Sequence, residues 1–112
     1  MIFSDWKAAT IANGGTSSAA VDLGKEFEFM VIELPALTSA TIKPQISETL
    51  GGTYYDVYGT PPASGAAVKV ITAATTGEYC WIVPLGCARF IKIVAGTAQA
   101  AERLIRVRGQ RS

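Results

Sequence analysis

The run Ile42-Lys43-Pro44-Gln45-Ile46-Ser47 is separated from Thr53-Tyr54-Tyr55-Asp56-Val57-Tyr58 by Leu50-Gly51-Gly52, and this arrangement constrains the fold more than any other feature of the chain. Both runs read as strands, and glycines between two such runs supply the positive φ of a hairpin turn. Pro44 has no N–H to donate, so the first run belongs at a sheet edge or at a bulge. Helical periodicity is nearly absent, whereas strand-like runs recur over 19–23, 27–34, 41–47, 53–58, 68–72, 78–83, 89–94 and 104–107. Turn residues punctuate them: Asn13-Gly14-Gly15, Pro35, the loop 59–65 with Pro61-Pro62, Thr75-Thr76-Gly77 and Pro84–Gly86. The joint 95–103 reads equally as an irregular loop or a short helical turn over 98–101.

About eight short strands at this spacing predict an all-β fold, a single antiparallel β-sandwich of the jelly-roll type. Within 27–34, alternation sends Phe27, Phe29 and Val31 one way and Met30, Ile32 and Leu34 the other, and Pro35 is expected to end the strand. The core is expected to take Phe29, Val31, Ile46, Val57, Trp81, Phe90 or Ile91, Ile93 and Val107. The 112 residues suffice for one domain, predicted over 19–112. Residues 1–18 differ in kind. Phe3 and Trp6 precede the turn-rich 13–18, which predicts an extended N-terminal arm whose aromatics reach a neighbour or pack back on their own domain.

Charged residues make up only 17% of the chain, against 49% hydrophobic. So little charge fits either a surface partly covered by neighbours or a small apolar monomer. Acidic residues dominate 1–56 and basic residues dominate 57–112. Such asymmetry suits pairing with copies of the same chain or with a partner of mixed sign. No apolar run approaches the roughly 20 residues of a membrane helix. The first residues carry Asp5 where a secretory leader would be basic, so synthesis in the cytoplasm is expected. Cys80 and Cys87 are then expected as free, buried thiols.

Reactive chemistry is scarce. There is no histidine, which removes the commonest general base and metal ligand together. The two cysteines lack zinc-knuckle spacing, Asn13-Gly14-Gly15 lacks the lysine of a phosphate loop, and no nucleophile elbow occurs. Glu26 and Glu28 share a strand face, where paired acids are ordinarily solvated. The expectation is a non-enzyme with no cofactor and no metal.

Two clusters remain. Arg103, Arg106, Arg108 and Arg111 guard an edge strand, form salt bridges to another protein or meet an anion; no aromatic interleaves with them, which argues against a nucleic-acid groove. Tyr54, Asp56 and Tyr58 share one face of a strand and suit a sugar, with rings to stack on pyranoses and a carboxylate to take hydroxyls. The same strand is equally a plain tyrosine-rich β former.

Gln45-Ile46-Ser47, Gly51-Gly52-Thr53-Tyr54-Tyr55-Asp56-Val57-Tyr58 and Ala88-Arg89-Phe90-Ile91-Lys92-Ile93 together resemble the core of discoidin-like (galactose-binding-like) sandwiches over about a third of the chain. More broadly, Val21-Asp22-Leu23-Gly24, the 38–58 hairpin and the run from Arg89 to Arg103 resemble small proteins encoded among the structural genes of tailed bacteriophages and prophages. That second resemblance implies a virion structural protein, foremost a capsid decoration (cement) protein at the capsid surface. Its partners would be the major capsid protein or other virion proteins, together with further copies of itself. The expected interface is Phe3, Trp6, Arg103, Arg106, Arg108 and Arg111. The alternatives are a carbohydrate-binding module of a head fibre or tail, meeting a host glycan through Tyr54, Asp56 and Tyr58, or a head or tail connector.

Overall fold

Two strands of about 20 residues form the spine of the molecule, each passing through residues that the sequence marks as breaks. The computed structural model describes residues 2–59 and 66–111. From residue 60 on, the loop expected over 59–65 lies outside them. The strands are β1 (Ile2–Phe3), β2 (Lys7–Ile11), β3 (Val21–Ala40), β4 (Ile42–Ser47), β5 (Tyr55–Asp56), β6 (Tyr58–Gly59), β7 (Val68–Lys69), β8 (Thr75–Ala95) and β9 (Arg103–Arg111). Every pairing among the described residues is antiparallel, and no helix occurs there. The all-β antiparallel expectation therefore holds. The main sheet runs β1-β9-β3-β8-β4-β5, with β2 beside β9 in line with β1, and β6 pairs with β7 alone.

The strands expected over 27–34 and 78–83 are longer than their punctuation suggests. Pro35 lies inside β3 in unbroken register between Leu34↔Tyr79 and Ala36↔Gly77, and Pro84 lies inside β8 opposite Phe29, next to a register shift. Register shifts fall between Asp22 and Phe27, between Phe27 and Phe29, and between Ala36 and Ala40. At the second of these, four residues of β8 oppose two of β3, and Gly86 and Cys87 take φ of 63° and 66°. Such bulges re-aim side chains. Phe27 and Met30 thus both point inward, and Ile32 and Leu34 follow Met30. The expected core placement of Phe29 and Val31 is corrected accordingly: both lie on the outer face, Phe29 exposed and Val31 half-buried.

The inner face closes over one core that includes Ile11, Leu23, Phe27, Met30, Ile32, Ile42, Val83, Leu85, Ile91, Ile93, Ile105 and Val107. Ile91, Ile93 and Val107 are where alternation puts them, and Ile46 and Trp81 pack at its rim. Val57 is only half-buried. Cys80 and Cys87 are free, but both are exposed rather than buried. Cys80 belongs to the outward set of β8, and Cys87 sits on the bulge.

The N-terminal segment is extended, yet it lies along β9 rather than standing away as a tether. Ala9 and Ile11 enter the core, opposite Ile105 and Arg103 in register. The turn after β2 is also fastened. The Gly14 N–H donates to the Gln99 carbonyl at 2.7 Å, and the Gln99 N–H donates to the Gly15 carbonyl at 3.0 Å. The buried Gln99 side chain accepts from the Thr38 N–H and donates to the Thr38 and Thr97 carbonyls. Its four amide valences are what hold the irregular joint before β9 in place.

The candidate functional sites

The outer face of β9, β3 and β8 carries large apolar groups that the core does not use. Register puts Gln110, Phe29 and Pro84 in one row, Arg108, Val31 and Ile82 in the next, and Arg106, Glu33 and Cys80 in the third. Phe3 extends the first row beside Gln110, and Ala8 the third beside Arg106. Ile82 is 62% exposed, Leu104 55%, Phe3 48% and Phe29 43%. Single exposed apolar residues are ordinary, but adjacent ones form a patch of the kind that marks contact surfaces.

Arginine and aromatic side chains organise one margin of this face. The Arg108 guanidinium lies 4.4 Å from the Phe3 ring centre and 5.9 Å from that of Trp6. Its Nε donates to the Ser4 carbonyl at 3.0 Å. Arg106 lies 6.0 Å from the Trp6 ring centre. Stacking of this kind holds a long side chain in place before any partner arrives, so less ordering is lost on binding. The structure therefore gathers Phe3, Trp6, Arg106 and Arg108. It sets Arg103 apart, with Nε donating to Gln99 Oε1 and Nη2 to Thr38 Oγ1. Arg111 pairs with Ile2 at the strand end and shares the inward parity of Val107 and Gly109. Phe29 and Val31 belong to the face although alternation from Phe27 predicts them in the core, because the register shift beside Phe27 is invisible to simple alternation; Ile82 faces away from buried Val83 as alternation along β8 requires.

Asp56 and Tyr58 come together through Lys69, while Tyr54 meets a separate lysine, Lys92. Asp56 Oδ1 accepts from Lys43 Nζ at 2.8 Å and from Gln45 Nε2 at 2.9 Å, and Oδ2 lies 3.4 Å from Lys69 Nζ. Lys69 sits 5.9 Å from the Tyr58 ring centre, and Lys92 sits 4.7 Å from that of Tyr54. The Tyr54 hydroxyl donates to the Leu50 carbonyl at 2.8 Å, closing the hairpin on itself. Partial burial pushes the Tyr54 hydroxyl pKa up. Lys43 first, then Gln45, hold the Asp56 carboxyl down to about 2. Likewise Arg89, then the Gly24 N–H, hold Asp22 below the usual carboxylate range.

Lowered carboxyl pKa values fix the direction of acid sensitivity. The contribution of Asp56 is fully present above its unfolded value near 3.8 and is lost as pH falls through about 2. Asp56→Asn should therefore flatten the fall in stability between pH 4 and pH 2, as read by urea titrations at each pH. An unchanged slope would assign the acid response to other carboxylates, Asp22 first.

At the open end of β4 and β5 lies a cleft of about 650 Å³, between the 48–54 turn and the bulge at Gly86 and Cys87. Tyr55 stands at its edge, 68% exposed. Among the described residues no group of three His, Cys, Asp or Glu is placed to hold a metal ion.

No protein-family model matches the chain, and no curated protein matches it by sequence. A solved structure does match: the SPBc2 prophage-derived protein YomS superposes with a TM-score of 0.57 at 17% identity. The match covers 97% of this chain and 95% of that one. The two chains thus share a fold over nearly their whole length.

Proposed function

We propose that this chain is a structural protein of a phage-type virion. Within that class we propose a capsid decoration protein that attaches to the assembled shell by the outer face of β9, β3 and β8, margined by Phe3, Trp6, Arg106 and Arg108. The observation that carries the reading is that face: exposed Phe3 and Phe29 flank Gln110 in one row, exposed Ile82 lies beyond Val31 in the next, and Arg108, stacked on Phe3, joins the two. Aromatic and arginine anchors in an apolar surround are the composition of binding hot spots. The fold shared with a prophage-derived protein supports the class.

The mechanism needs no reactive group, cofactor or metal. A protein that binds only the assembled shell stabilises it by mass action. Copies that contact one another as well as the major capsid protein add their affinities through symmetry and high local concentration. The protein is made in the host cytoplasm and resides at the capsid surface.

The test is to compare particles assembled with and without this chain. Hundreds of copies per particle, and heads that break at lower temperature without it, are expected. A few or a dozen copies would indicate a connector instead. Heads that carry no copies and lose no heat resistance would sink the proposal.

A further inference from the structure

We propose that two copies of this chain pair along the free edge of β8, over residues 79–83, and so join their main sheets into one. The surface is the rim of the sheet and not its outer face, and the pairing does not rest on the decoration reading. β3 runs along one side of β8, and β4 takes the other side only from Phe90 to Ala95. Among the described residues no strand pairs with that second side over 79–83. Such an edge carries unpaired N–H and C=O groups, a template for another strand.

The remaining edges of the main sheet are blunted. β1 and β5 are two residues long, β2 opens on Lys7, and Pro44 lies in β4. Short length, lysine and proline are the devices that discourage stray pairing. Tyr79-Cys80-Trp81-Ile82-Val83 has neither lysine nor proline, nor any other charge. Its register with β3 is unbroken, Tyr79 is 41% exposed and Ile82 62%, and the Cys80 thiol is exposed. Glu78, at φ 68°, and Pro84 bracket it. A neutral, regular edge between two breaks suits strand addition.

The strand's own sequence selects the occupant. When two copies run antiparallel about a two-fold axis at Trp81, the residues of this run pair only with one another. Trp81, which packs at the rim of the core, meets Trp81, and Tyr79 meets Val83 on the same inner side. Cys80 meets Ile82 on the outer side. Aromatic and β-branched cross-strand pairs are among the favourable kinds. Glu78 falls opposite Pro84, outside the run, so no charge enters the seam. A strongly acidic or basic segment would find no counter-charge there, whereas this chain, with a net charge of +1, is barely repelled by its copy. The axis stands perpendicular to the sheet, so both outer faces lie on one side and become a single apolar surface.

Sedimentation equilibrium of the full chain, from micromolar to millimolar concentration, tests the pairing. A closed dimer is expected, dissociating in the micromolar range because so short a seam makes a small interface. Tyr79→Lys should weaken it by about tenfold or more. Tyr79 shares the inward parity of its buried register partner Leu34, so this change leaves the outer face as it is, and a circular-dichroism spectrum checks that the variant is folded. The pairing also sets the Cys80 residues of the two copies at diagonal positions, with Cα atoms about 7–8 Å apart. A short bis-maleimide should therefore cross-link Cys87→Ser into dimers and leave Cys80→Ser uncross-linked. A monomer at every concentration, growth beyond the dimer, undiminished association of folded Tyr79→Lys, or cross-linking through Cys87 alone would overturn the proposal. So would a neutral apolar peptide that adds to 79–83 while the chain itself stays monomeric. None of these measurements involves heads, so failure here is distinct from failure of the decoration reading.

Discussion

Phe27→Ala should cost about 3–5 kcal/mol, the range for emptying a buried phenylalanine site. That is a large part of the roughly 5–15 kcal/mol that holds a domain together. The ring is 2% exposed and sits between the two register shifts at the start of β3. It lies directly over Gly109 of β9, where an added Cβ would run into the ring. The space is therefore shared: Gly109 is small so that Phe27 can be large. Gly109 also donates its N–H to Ser4 Oγ at 2.9 Å, and the Ser4 N–H donates to the Gly109 carbonyl at 2.9 Å. One contact thus ties the β3 bulge to β9 and β9 to the N-terminal strands.

The pairing makes a sharper expectation than the single variant. Gly109→Ala should be strongly destabilising in the parent chain and nearly harmless in a Phe27→Ala background, where the new methyl enters vacated space. Urea unfolding of the four proteins gives the coupling directly, with shifted midpoints at constant slope. Additive losses would mean that the ring and the glycine do not share their space.

What the sequence revealed and what it concealed divide along one physical line. Strand identity is local, and it was legible: Gln45 and Ile46 pair with Asp56 and Tyr55 across the glycine turn as the pattern requires. Ile91, Ile93 and Val107 face inward because each lies on a regular stretch. Register shifts depend on which strand lies alongside, and a single sequence does not state its neighbours. The inward phase of β3 jumps from Phe27 to Met30 at the register shift, which leaves Phe29 and Val31 outward, and alternation read along β3 does not announce the shift. The arm shows the converse. The alternation of Ala9 and Ile11 is present in Lys7-Ala8-Ala9-Thr10-Ile11, but Phe3 and Trp6 before it have the pattern of anchors on a tether. Of the candidate interface, the residues that sit together are those whose rings and guanidinium groups can stack: Phe3, Trp6, Arg106 and Arg108. Arg103 left the group because Gln99 and Thr38 satisfy it.

The second large effect is functional and should leave stability almost untouched. Ile82 is 62% exposed, Phe29 43%, and they occupy adjacent rows of the outer face. Substitutions at such positions ordinarily shift stability by no more than about 0.5 kcal/mol. At the centre of an interface the same change buries a charge without a partner, which costs several kcal/mol. Ile82→Asp should therefore unfold like the parent yet fail to co-sediment with heads that lack the endogenous protein. Arg108→Ala should act more weakly, since it removes the stack on Phe3 and Trp6 and the bond to the Ser4 carbonyl but introduces no buried charge. Tyr55→Ala, at an exposed ring away from that face, is the control: it should attach to heads as the parent does. Attachment by Ile82→Asp at parental affinity would remove the outer face from the mechanism, and with it the reason for so much exposed apolar surface on so small a domain. Loss of attachment in Tyr55→Ala would make the cleft beside Tyr55, rather than the sheet face, the place where the shell is held.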